Sequence, residues 1–108
     1  MEKNIYLGFS TQLDSTILKD VEFALEHNFN TLCLELSWNP ELKFSNEEIN
    51  ALKNFSSKEN NKLILHLPFF LTTNSSIPEV FKGVRDYFKK VIVFAKEINA
   101  TILTLHGG

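Results

Sequence analysis

Cysteine is nearly absent from this 108-residue chain, with Cys33 standing alone. A single thiol excludes an intrachain disulfide framework and a zinc site built on cysteine pairs. A basic excess is also lacking. Eleven Lys and Arg residues face thirteen Asp and Glu, for a formal net charge of -2. With no Lys/Arg block either, composition makes a nucleic-acid partner an unfavoured expectation. No apolar run reaches the roughly 20 residues of a membrane span, so no membrane partner is expected. Met1-Glu2-Lys3-Asn4 leads straight into a strand-like run, so no signal peptide is expected and the expected location is cytoplasmic. Phosphate-binding glycine patterns and the Gly-x-Ser-x-Gly nucleophile elbow are missing. No proline-rich or glycine-rich linker divides the chain, so residues 1–108 read as a single domain, and as a partial one.

Large apolar side chains are plentiful. The 44% hydrophobic content rules out a disordered composition. Residues 5–9 read as a short buried strand and 10–15 as a polar turn. Ile17, Leu18, Val21, Ala24 and Leu25 then recur at helical spacing, with charges filling the other positions. Asp14 or Ser15 is the expected cap, and Asn28 the expected terminator. Residues 31–36 form a second strand before the Trp38-Asn39-Pro40 loop. Ser45 and Glu48 have the spacing of a capping box, and Ile49, Leu52 and Phe55 stripe the helix behind it. A turn at 56–61, a strand at 63–67 and Pro68 follow. Pro78 opens a long helix whose apolar positions run from Val80 to Ile98, interrupted by Gly83 and closed by Asn99-Ala100. Residues 101–105 are the fourth strand, ahead of His106-Gly107-Gly108.

The order is β-α-β-α-β-α-β, which implies parallel pairing with right-handed crossovers. Alternation puts Leu32, Leu34 and Leu36 on one face and Thr31, Cys33 and Glu35 on the other. Likewise Leu63, Leu65 and Leu67 oppose Ile64 and His66, and Thr104 shares a face with His106. A doubly wound sheet buries both faces and reads as more evenly apolar. A barrel has helices outside only and carries polar groups at its catalytic end. The pattern therefore favours an α/β fold that is about half of a (β/α)8 TIM barrel. The alternative is a small open flavodoxin-like sheet. A half-barrel exposes two sheet edges and an apolar interior, so two copies pairing as a homodimer is an expected partnership.

His66 and His106 end consecutive strands on the non-leucine face. Barrel strands lie about 4.8 Å apart, so the two imidazoles could share a metal or flank a phosphate. A plainer role is hydrogen bonding to backbone. Imidazole suits zinc, iron or manganese when a carboxylate completes the shell. Glu35, set between leucines, must be paired, hydrated or facing a cavity. It reads as a substrate-binding or proton-transfer carboxylate, or as a structural ion pair. Gly107-Gly108 could offer backbone N–H groups to an anion or simply make a turn. Trp38, Phe69 and Phe70 could line the mouth and stack on a substrate, or cover the sheet end. Gly8 permits close approach of a ligand or backbone. Cys33 reads as core rather than nucleophile. His27 reads as a helix-terminal charge, and Lys82, Lys89, Lys90 and Lys96 as a solvated face.

Four short motifs, in order, resemble the xylose-isomerase-like TIM barrels. They are Ile5-Tyr6-Leu7-Gly8-Phe9-Ser10, Leu34-Glu35-Leu36, Leu65-His66-Leu67-Pro68-Phe69 and Leu103-Thr104-Leu105-His106-Gly107-Gly108. The helix ending Phe94-Ala95-Lys96-Glu97-Ile98-Asn99-Ala100 looks like the family's approach to the fourth strand. That superfamily holds sugar isomerases and epimerases, inosose dehydratase-type enzymes and the endonuclease IV type of abasic-site phosphodiesterase. The resemblance implies the N-terminal half of a metal-dependent isomerase or epimerase acting on a sugar or sugar phosphate. Glu35, His66 and His106 would be catalytic, and Trp38, Phe69 and Gly107 would bind substrate. In the endonuclease branch His66 and His106 would be metal ligands. The implied cofactor of the intact barrel is divalent zinc, manganese or magnesium, with the remaining ligands on later strands. Activity is accordingly expected of a complete barrel and not of these four strands alone. A non-catalytic, self-associating half-barrel is the third reading.

Overall fold

A computed structural model describes residues 5–106. Strands and helices alternate along them: β1 (Gly8–Ser10), α1 (Ile17–Glu26), β2 (Thr31–Glu35), α2 (Asn46–Ser57), β3 (Lys62–His66), α3 (Pro78–Ile98) and β4 (Ile102–Thr104). One 3-10 turn, Leu36–Trp38, follows β2. All pairings are parallel, in the sequential order β1-β2-β3-β4. A flavodoxin-like sheet places its first strand between its second and third. These four strands contain no such reversal, so the flavodoxin-like strand order of the alternative expectation is not found. Crossovers of one hand between sequential strands carry every helix to the same face.

Burial matches that one-sided arrangement. Leu32, Leu34, Leu36, Leu63, Leu65 and Leu67 are at most 1% exposed. They meet Val21 and Ala24 of α1, Leu52 and Phe55 of α2, and Val91 and Ile98 of α3 in one core. Each such Leu, Val, Ile or Phe side chain contributes roughly 1.5–3 kcal/mol by leaving water. Thr31, Cys33, Glu35, Lys62, Ile64 and His66, on the other face, are only half-buried. Polar groups there keep some contact with water, which is what makes that face able to carry chemistry.

Local signals explain where the helices begin. Ser45 Oγ accepts from Glu48 N at 3.1 Å, and Glu48 Oε1 accepts from Ser45 N at 2.9 Å, so the capping box forms. Pro78 occupies the first position of α3, and Asn99 closes that helix in the left-handed region at φ 60°. Asn28 adopts φ 58° just after α1, as its residue type favours. The cap of α1 differs from expectation. Thr16 fills it, with Oγ1 accepting from Lys19 N at 3.2 Å. Asp14 and Ser15 are held one turn earlier, where Ser15 N donates to Gln12 O. Helix α2 also runs on to Ser57, into the turn expected at 56–61.

The strands are shifted or shorter than their apolar runs. Strand β1 begins at Gly8 rather than residue 5. The Asn30 side chain takes the backbone groups ahead of it: Nδ2 donates to Ile5 O and Oδ1 accepts from Leu7 N. A side-chain amide thereby replaces ladder bonds. Strand β2 stops at Glu35 because Leu36 starts the 3-10 turn. Strand β3 is 62–66 rather than 63–67, and β4 is 102–104 rather than 101–105. Leu67 N still donates to Thr104 O at 2.8 Å, but Pro68 has no N–H to extend the ladder.

Ile102, Leu103 and Leu105 around the edge strand, and Ile92 and Val93 on α3, are exposed. Among the described residues no helix is long and apolar enough to cross a membrane.

Candidate functional site

Parallel register sets Glu35 beside His66, and His66 beside Thr104. All three lie at the C-terminal ends of their strands, on the face without helices. His66 Nδ1 is 2.6 Å from Glu35 Oε2. The oxygen lies off the direction of the ring N–H, so the two atoms are in close contact without an aligned hydrogen bond. The two side chains are 20% and 17% exposed, enough to meet a solute and little enough to weaken competition from water. His106, two residues past Thr104, packs edge to face on His66 with ring centroids 4.9 Å apart.

Backbone contacts hold this cluster in place. Glu35 Oε1 accepts from Ser37 N at 3.1 Å, and Glu35 N donates to Thr11 Oγ1 at 3.0 Å. Ser37 Oγ accepts from Phe69 N at 3.0 Å and ties the ends of β2 and β3 together. The Ser37 N–H thereby gives the Glu35 carboxylate part of the compensation that partial burial demands. Thr11 and Ser37 are contributors that the sequence reading missed. Their one signal is position, a hydroxyl just beyond a strand end.

The remaining sequence-singled residues fall in different places. Trp38 is not in the imidazole cluster; it lines a cleft of about 260 Å³ between the β1–α1 loop and α2, which Glu35 also borders. Phe69 packs edge to face on Phe70 and is 61% exposed. Gly107, expected to bind substrate, and the Gly107-Gly108 turn lie outside the described residues. Cys33 shares the face of Glu35. Burial pushes its thiol up, Ser10 partly offsets this, and the Glu35 charge adds to it, leaving a poor nucleophile. A Cβ on Gly8 would sit 2.1 Å from the Thr31 carbonyl oxygen, so the close approach at Gly8 is by neighbouring backbone. His27 sets Nδ1 3.0 Å from Phe23 O at the end of α1. Lys82 pairs with Asp86 at 2.8 Å on an exposed face, and Lys90 Nζ donates to Glu41 O.

Two imidazoles and a carboxylate have the donor chemistry of a metal site. Among the described residues, however, no three His, Cys, Asp or Glu side chains group so as to hold an ion. These strands by themselves therefore do not fit a complete shell.

Asp20 is a further correction. The sequence reading sets it among the charges that fill the positions between the apolar ones of α1, yet it is 6% exposed and its Oδ2 is buried with no hydrogen-bond partner among the described residues. The signal is present: Asp20 stands three residues after Ile17 and four before Ala24, on the apolar stripe itself. Compared with known proteins, the chain matches no family model and no curated sequence.

Proposed function

We propose that these four strands and three helices form about half of a (β/α)8 barrel of the xylose-isomerase-like type, and that Glu35, His66 and His106 belong to a site for proton transfer on a sugar or sugar phosphate. The observation that carries this reading is the Glu35–His66 contact of 2.6 Å at the ends of adjacent parallel strands, on the open face. A carboxylate against Nδ1 favours the proton on that nitrogen and leaves Nε2 free as a base. Such a base removes a proton from the carbon beside a carbonyl. Returning it to the former carbonyl carbon, while the hydroxyl proton of the deprotonated carbon passes to the former carbonyl oxygen, isomerises the sugar; returning it to the opposite side of the same carbon epimerises it. Glu35 steadies the imidazolium formed in between, and His106 borders the reacting atoms. A divalent metal, when bound, would polarise the substrate oxygens. His66 and His106 would supply only part of its shell.

The test is a titration with a panel of aldose and ketose phosphates, following the ring-proton resonances of His66 and His106. Both rings should shift saturably, and His66→Ala should abolish binding. In a complete barrel, Glu35→Gln should slow deuterium uptake beside the carbonyl by about a hundredfold or more. If no sugar phosphate moves either ring, the reading fails. Tighter binding of an abasic duplex would transfer the site to the phosphodiesterase class.

One observation favours self-association alongside this chemistry. Val93 is 67% exposed, and Ile92, Ile102, Leu103 and Leu105 are exposed with it. A second copy pairing there would remove that apolar surface from water. Sedimentation should show a dimer, and Val93→Lys should reduce it; a strict monomer at all concentrations removes the homodimer from the proposal.

A further inference from the structure

Resting on the half-barrel reading, we propose that two copies of this chain close one eight-stranded barrel about a two-fold axis along the strands. The β4–α3 side of each copy meets the β1–α1 side of the other, and both copies bring Glu35, His66 and His106 to one mouth.

The two sides of the sheet are open in complementary ways. β1 and β4 are its edges, each with a row of backbone groups that no strand pairs among the described residues. Beside β4, Leu103 faces the helix layer but is 36% exposed, although its register partner Leu65 is fully buried. Tyr87 and Lys90 of α3 reach the backbone of Pro40 and Glu41, so that flank of α3 faces the loop before α2. Phe81, Arg85, Lys89, Ile92 and Lys96 recur at steps of three and four on the flank turned away from it, and all are exposed. The Arg85 guanidinium sits over the Phe81 ring. At the other edge, Phe23 of α1 packs edge to face on Phe9 of β1 and is exposed, as are Ile5 and Leu7 ahead of that strand.

Charge decides which sides meet. Arg85, Lys89 and Lys96 make no ion pair among the described residues. On α1, Glu22 and Glu26 stand one turn apart, are likewise without an ion pair among the described residues, and outnumber Lys19. When β4 of one copy pairs with β1 of the other, a cationic α3 and an acidic α1 flank each seam. The rival arrangement sets β4 against β4 of the second copy. It brings two cationic α3 flanks together and leaves Ile5, Leu7 and Phe23 in water. A two-fold axis along the strands keeps all eight parallel, repeats one seam twice and leaves no edge. The half-buried face of Glu35 and His66 becomes the barrel interior, and a second Glu35–His66 contact stands across the same mouth. The site is then shared between the copies.

The experiment mixes two variants of the full chain, both carrying Cys33→Ser. One has Leu7→Cys; the other has Leu103→Cys and an isotopic mass label. A short bis-maleimide should join unlike chains, identified by mass, in preference to like ones. If Leu7→Cys does not fold, Ile5→Cys takes its place. In sedimentation at low salt, Lys89→Glu with Lys96→Glu should weaken the dimer about tenfold, as should Glu22→Lys with Glu26→Lys, and the chain with all four should regain most of the loss. The proposal is overturned by a monomer at every concentration, by linking of Leu103→Cys chains to one another instead of to Leu7→Cys chains, or by charge reversal without rescue. Linking of like chains overturns ring closure and leaves self-association standing. A monomer whose His66 and His106 rings respond to a sugar phosphate overturns ring closure and leaves the sugar-phosphate reading standing. Unlike chains that link while no sugar phosphate moves either ring support ring closure and remove only that reading.

Discussion

His66 Nδ1 lies 2.6 Å from Glu35 Oε2 across one step of the β2–β3 ladder. Neither residue reaches for the other along a flexible loop. Parallel register delivers them side by side, and the Ser37 amide fixes the second oxygen of Glu35. Replacing Glu35 by Ala removes both contacts and should cost about 1–3 kcal/mol, because the groups left behind are half-buried. Gln keeps an acceptor for Ser37 N and should cost less. Urea unfolding of the two variants checks the order; an Ala variant as stable as the parent would mean the contact contributes nothing.

Asp20 makes stability depend on pH. Its folded-state carboxyl titrates above the ordinary value of 3.8 because burial disfavours its charged form. The folded chain therefore holds the proton to higher pH than the unfolded chain does. The stabilisation from this group is complete below 3.8 and is lost as pH rises through the raised value. Asp20→Asn has no such proton to lose. Relative to the parent, it should gain stability as pH rises through that window, measured as a difference in urea midpoints. A constant difference from acid to neutral pH would contradict this.

Ser45 and Glu48 satisfy each other's backbone donors at the start of α2. Ser45→Ala should destabilise the chain by about 1 kcal/mol, and Glu48→Gln by much less, since glutamine also completes the box. Thermal unfolding resolves the pair, and equal losses would show that charge rather than capping matters there.

Gly8 is positioned by the neighbouring strand. A methyl group would meet the Thr31 carbonyl oxygen at 2.1 Å, and Thr31 is held from its other side by pairing with Lys62 of β3. Gly8→Ala should therefore cost about 1–3 kcal/mol or more by overpacking. Tolerance of alanine at this position, seen as an unchanged unfolding midpoint, would mean that β1 can lift away from β2 without loss.

Leu65 and Ile64 test the one-sided sheet. Leu65 is fully buried beneath the helices, whereas Ile64 is half-buried on the open face. Leu65→Ala should lose about 2–5 kcal/mol, and Ile64→Ala distinctly less. Equal losses in denaturant unfolding would show that something covers the open face in solution.

Much of this was readable from residue order alone, because the signals act over three or four positions. Ser45 finds Glu48 within one helical turn, Pro78 sets its own backbone angle, and Asn28 and Asn99 tolerate the left-handed conformation without help. The leucine faces of β2 and β3 follow from simple alternation, and the same alternation puts Glu35 and His66 on the opposite side. What residue order did not determine depends on segments far apart. Asn30 shortens β1 by capturing Ile5 and Leu7, Thr11 anchors Glu35, and Ser37 holds Phe69. Trp38 turned toward the cleft at α2 because a 3-10 turn ended β2 one residue early. Asp20 differs most in character. Its place on the apolar stripe is written in the sequence, but the burial of its carboxylate is decided only when the β1–α1 loop and β2 come together beside α1.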